Sequence, residues 1–146
     1  MTDVMRLLRE TKTVLLVDWP SREVPDTLAR RGMTVISDEG PGKYIAYELE
    51  GDVVRSRDVG RLPERADLVY AHRPIDELPE IVDAAKSTGA KAVWIQSGRD
   101  EAGGKDPRGC WLAPEESSKA RGIVEGAGLT YIEAPYIADA VREFRR

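Results

Sequence analysis

The sequence holds a single cysteine, Cys110, and a single histidine, His72, among its 146 residues. One thiol forms no intrachain disulfide, so nothing in the cysteine usage calls for an oxidising compartment. One imidazole with one thiol also excludes multi-histidine and multi-cysteine metal sites, zinc above all. A basic excess is missing as well: 22 Lys and Arg against 26 Asp and Glu leave a formal charge of −4. An electrostatic grip on nucleic acid or on an anionic membrane is not expected of such a surface. No apolar run approaches the ~20 residues that span a bilayer, and the opening MTDVMRLLRE is too mixed in charge for a signal peptide. A cytoplasmic location is expected. Glycine is absent between Val17 and Gly32, which removes the GxGxxG fingerprint and with it ordinary NAD or FAD binding.

What is present is ordinary globular composition, 41% hydrophobic and 33% charged, in a length suited to one domain over residues 1–146. Five short apolar runs recur, at residues 12–18, 33–39, 66–72, 91–98 and 129–135. They are nearly continuous in Val, Ile and Leu, the pattern of strands covered on both faces of a parallel sheet. A sixth, short strand is expected at residues 52–55. Helical spacing lies between the runs: Leu78, Ile81, Val82 and Ala85 share one face, with Asp76 as the expected N-cap and Gly89 as the stop. Two more helices are expected at residues 114–125 and 135–146. The alternation predicts an α/β fold, a Rossmann-like doubly wound parallel sheet of five or six strands flanked by helices, with the first strand central. Residues 40–65 and 98–112 break the rhythm and are candidate functional loops.

The turn after the first strand matters most, because in such a sheet it offers helix amides to a phosphate. It reads VDWPSREVPDTLARRG. Ser21 is placed to cap the helix and Arg22 to add positive charge, or Ser21 is a cap and nothing more; Pro25 biases Val24 away from helical geometry and is a second candidate for the helix start.

Pro20, Ser21, Val24, Leu28 and Gly32 fit the frame of a strand, a Pro-Ser loop and a helix, and residues 72–98 read HRPIDELPEIVDAAKSTGAKAVWIQSG. Over these motifs the chain resembles the CoA-binding domain family of small stand-alone proteins, similar also to the nucleotide domain of succinyl-CoA ligase; the likeness runs from about Lys12 to Arg142. The resemblance implies CoA as ligand, its diphosphate near Trp19, Pro20, Ser21 and Arg22, and other parts along His72, Arg73 and Pro74. Gln96, Ser97 and Gly98 would border the reactive arm. Lys43, in GPGK, is similar to the ligase loop that meets CoA phosphate. Asp18 stands where the family has glycine, in a first loop several residues shorter; a carboxylate there repels a diphosphate by ~1 kcal/mol or more when partly buried. Asp38 and Glu39 raise the same objection to the 3′-phosphate.

Other residues invite chemistry and have plainer readings beside it. His72 at a strand end suits a general base or a polar ligand contact, and Cys110 a nucleophile or a quiet structural thiol. Trp94 reads as core and Trp19 as the aromatic of interest, while the strand-end acids Asp18, Asp38 and Glu133 are the one possible carboxylate metal cluster. No nucleophile, base and oxyanion set is assembled. The leading expectation is a CoA or acyl-CoA binding module without catalysis; the alternatives are an interaction or regulatory module that has lost its ligand, and a small enzyme using the same cleft.

Overall fold

The first strand, β1 (Thr13–Val17), buries Val14, Leu15 and Leu16, because consecutive side chains face opposite sides and both sides are covered. The computed structural model describes residues 3–17, 22–40, 42–61, 63–72, 75–95, 114–133 and 136–143. Within them the elements run α1 (Asp3–Glu10), β1, α2 (Glu23–Arg30), β2 (Thr34–Asp38), β3 (Tyr44–Glu50), β4 (Val53–Asp58), β5 (Leu68–Ala71), α3 (Leu78–Thr88), β6 (Ala92–Ile95), α4 (Pro114–Gly126), β7 (Thr130–Ile132) and α5 (Ile137–Glu143). All seven strands form one sheet in the order β4-β3-β2-β1-β5-β6-β7. The five expected strands are β2, β1, β5, β6 and β7, parallel throughout, with β1 central.

Among the described residues the strands number seven rather than five or six, because residues 44–58 form an antiparallel hairpin, β3 and β4, on the outer side of β2. The expected sixth strand is β4, displaced to Val53–Asp58. Its partner β3 pairs Glu50 with Val53 across a two-residue turn, where Gly51 takes φ 63°. Helix α1 was not foreseen either; its Leu8 is fully buried.

Right-handed crossovers divide the helices. The chain steps one way from β1 to β2 through α2, and the other way from β5 to β6 to β7 through α3 and α4, so these helices fall on opposite faces. Val14, Leu16, Val35, Leu68, Tyr70 and Trp94 pack against α1, α2 and α5. Leu15, Ile36, Val69, Val93 and Ile95 pack against α3 and α4. Trp94 is wholly buried, as expected of a core residue. At the amino-terminal edge, Asp67 Oδ2 accepts the backbone N–H groups of Lys12 and Thr13 at 2.9 and 3.0 Å, fixing the register of β1 on β5.

Helix ends required two corrections. Asp76 is not the N-cap of α3: a 3₁₀ turn, Ile75–Glu77, precedes the helix, Glu77 holds the cap position with no side-chain capping bond to the helix, and Pro79 falls in the first turn, where its missing N–H is no loss. Pro25 likewise lies inside the first turn of α2 rather than at its start. Gly89 does end α3, in the left-handed conformation at φ 74°.

Candidate functional site

In a doubly wound sheet the ligand crevice lies at the carboxyl ends of the strands, where the order reverses. Here that point is β1, flanked by β2 and β5. The chain leaves β1 at Val17, β5 at Ala71 and β6 at Ile95 on this one edge, and Val17 pairs with Ala71 and Ala71 with Ile95. The three segments carrying most of the expected ligand contacts therefore start side by side. Trp19, Pro20, Ser21, Arg73, Pro74, Gln96, Ser97 and Gly98 lie outside the described residues, as do Asp18 and Cys110. His72 is described: it is half-buried, and its backbone N–H donates to the Val17 carbonyl at 3.2 Å, which holds the start of the HRP segment against the end of β1.

Arg22 occupies the N-cap position of α2, with helical φ and ψ of −58° and −19°. Its guanidinium stands over the Tyr47 ring, 5.0 Å from the centroid, so a flexible cation is held on a buried aromatic face. Burial pushes the Tyr47 phenol up from 10.0, Arg22 pulls it down and Glu39 adds a smaller upward push. Glu39 is held in turn, since the buried Ser37 hydroxyl donates to its Oε2 at 2.7 Å. Tyr47 escaped the sequence reading because it belongs to the unforeseen strand β3, 25 residues from Arg22 in the chain and opposite Val35 in the sheet.

Two pairs of acids bear on the charge of this edge. Glu23 and Asp26 sit in the first turn of α2, but Arg142 of α5 reaches Glu23 at 2.9 Å and Arg30 reaches Asp26 at 3.2 Å. Asp38 is committed to the turn after β2, where its Oδ1 accepts the Gly40 N–H at 3.0 Å. That turn closes with Lys43: Glu39 N–H donates to the Lys43 carbonyl and Lys43 N–H to the Gly40 carbonyl, at 2.9 and 3.0 Å. Lys43 is exposed at the tip of the β2–β3 hairpin, on the same edge as Arg22.

A cavity of about 530 Å³ borders the carboxyl end of β2 on the opposite face of the sheet, lined by Ile36, Arg57, Asp58, Val59, Arg61, Pro63 and Glu64. Its size is that of ordinary small-molecule sites. Its two arginines are matched by Asp58 and Glu64, and Arg57 is tied to Glu48 at 3.1 Å; the sequence reading passed over these groups, since residues 40–65 showed no pattern to place them. Among the strand-end acids, Glu133 accepts hydrogen bonds from Ser117 and Tyr131 on the α4 side, and the described residues contain no group of three or more candidate metal ligands. Among the described residues, no helix is long and apolar enough to cross a membrane.

The family model described as CoA binding domain matches residues 15–138. Solved structures share the fold, two of them as follows. The structure of cell-free ID.343 from Thermus thermophilus is 21% identical with a TM-score of 0.57, covering 96% of this chain and 98% of that one. A hypothetical protein from Pyrococcus horikoshii OT3 is 18% identical with a TM-score of 0.57, covering 99% and 92%. Comparison with curated proteins returned no match.

Proposed function

This chain belongs to the CoA binding domain family, and on that footing we propose that it binds CoA or acyl-CoA across the carboxyl edge of β1, β5 and β6, as a binding module without catalysis of its own. The observation that carries this reading is Arg22, a guanidinium held over Tyr47 at the N-terminus of α2. Helix amides and a guanidinium converging on one point suit a diphosphate. The neighbouring acids oppose this less than the sequence suggests, because Glu23 and Asp26 each have a cationic partner. Trp19, Pro20 and Ser21 complete the diphosphate turn in this reading, while His72, Arg73, Pro74, Gln96, Ser97 and Gly98 line the rest of the ligand. Lys43, exposed at the tip of the β2–β3 hairpin, supplies positive charge for the 3′-phosphate in this reading.

Isothermal titration of CoA, dephospho-CoA and NAD into the protein tests the proposal. CoA is expected to bind most tightly, and Arg22→Ala to weaken it by about 1 to 3 kcal/mol, the range for a charge-assisted hydrogen bond. Arg22 is exposed, so its removal is expected to leave the fold intact. A second reading, an interaction module that has lost its ligand, is favoured by Asp18 in place of the family's glycine. If CoA fails to bind at millimolar concentration and Asp18→Gly rescues nothing, the second reading replaces the first.

A further inference from the structure

The sheet ends in two edges, and each exposes backbone groups that invite pairing with another chain. Strand β4 blunts its edge with charge: Arg55 and Arg57 are exposed and tied to Glu50 and Glu48 at 3.0 and 3.1 Å. Strand β7, by contrast, carries no charged side chain of its own. Its Tyr131 and Ile132 are buried, and among the described residues no strand pairs with its outer side. The Thr130 N–H donates to the Lys91 carbonyl at 3.0 Å, so the two-residue alternation turns the N–H and C=O of Tyr131 away from β6, toward the open edge.

A groove of about 660 Å³ follows this edge, floored by Thr130, Tyr131 and Ile132 and walled by α1 and α4. Its rim has an ordered pattern of charge. Arg6 and Glu10 stand one turn apart on α1, and Arg121 and Glu125 one turn apart on α4, where they pair within the helix at 3.3 Å. Helix α4, the crossover between the parallel strands β6 and β7, runs antiparallel to β7, and α1 ends at the edge of the sheet where the parallel strands begin. Lys91, which opens toward β6, holds Glu10 at 3.4 Å, so Glu10 is level with the start of β7; Arg121 lies over the Tyr131 ring at 5.0 Å. Each helix thus presents its acid toward the start of β7 and its base further along.

We propose that this edge is a homodimer interface, in which β7 pairs antiparallel with β7 of a second copy about a two-fold axis perpendicular to the sheet and midway between the two Thr130 residues, so that the Tyr131 N–H faces the Leu129 carbonyl of the second copy. Such an axis keeps every helix on its own face. It lays α1 against α1 and α4 against α4 in antiparallel order, so Arg6 meets Glu10 of the second copy and Arg121 meets Glu125. An acidic or a basic partner would satisfy one half of this rim and be repelled by the other. A surface bearing the same pairs in reverse order satisfies both, and an isologous contact supplies that surface.

Sedimentation equilibrium of the full chain, from low micromolar to a few hundred micromolar, reads the association directly, and hydrogen exchange at the Tyr131 amide locates it. A monomer–dimer equilibrium is expected, with Tyr131 exchange slowing as concentration rises. Arg6→Glu sets Glu against Glu10 of the second copy and is expected to raise the dimer Kd by at least about tenfold. The double variant R6E/E10R restores the opposed pair and is expected to return within about threefold of the wild type. Circular dichroism confirms that both variants are folded. A monomer at the highest concentration, a dimer indifferent to Arg6→Glu, or Tyr131 exchange independent of concentration each overturns the proposal.

Discussion

Tyr131 gives its hydroxyl to Glu133 Oε2 at 2.9 Å, an oxygen that also accepts from Ser117. Burial is the largest cause raising its phenol well above 10.0, and the adjacent Glu133 carboxylate pushes the same way. The folded state therefore keeps a proton that the unfolded chain loses, so the contribution of Tyr131 is whole below pH 10 and declines as pH rises toward the folded value. Tyr131→Phe removes the hydroxyl while leaving the ring under Arg121. It is expected to lower stability by about 1 to 2 kcal/mol at neutral pH, with the gap to wild type closing above pH 10. Urea denaturation of both proteins at pH 7 and pH 10.5 checks this; a gap that stays constant would mean that the proton is not held by the fold. Arg22 shows the same economy at the other end of the sheet, where an aromatic face fixes a charge that would otherwise sweep freely through solvent.

At the scale of elements, the C-terminus of α3 is set by conformation rather than contact. Gly89 adopts φ 74°, and a Cβ built there meets nothing within 4 Å, so Gly89→Ala is expected to cost about 1 kcal/mol from backbone strain alone. Asparagine, which tolerates this region, is expected to recover part of the loss, and thermal melts of the two variants rank them. This cap and the five parallel strands were legible because each is written locally, as glycine after an apolar face or as an unbroken apolar run such as Leu68–Ala71, buried at every position. The β3–β4 hairpin was not, because β4 is exposed at nearly every position and its charged residues mimic a loop. The cue was the Gly51–Asp52 turn between alternating stretches. Losing β3 also lost Tyr47, and with it the reason Arg22 points where it does. A site assembled across non-adjacent elements is legible only as far as its elements are.

At the scale of the molecule, the sheet divides the interior into two cores that share every wall. Along β1 the side chains alternate between them, Leu16 with α2 and α5 and Leu15 with α3 and α4. Neither core can open without exposing the other side of the same strands, so the two faces are expected to unfold in one transition despite having separate helices. Leu28→Ala on the α2 face and Leu78→Ala on the α3 face delete fully buried side chains, and each is expected to destabilise by about 2 to 5 kcal/mol. The denaturant midpoint should fall in both variants while the slope m stays that of the wild type, since the surface exposed on unfolding is the same. Far-UV circular dichroism and tryptophan emission, with Trp94 inside β6 as a reporter of the α2 face, should trace coincident curves. Two resolved transitions in Leu78→Ala, with emission preserved through the first, would show that α3 and α4 can leave the sheet while the opposite face holds, and that β1 is a scaffold in its own right rather than the common wall of a single cooperative unit.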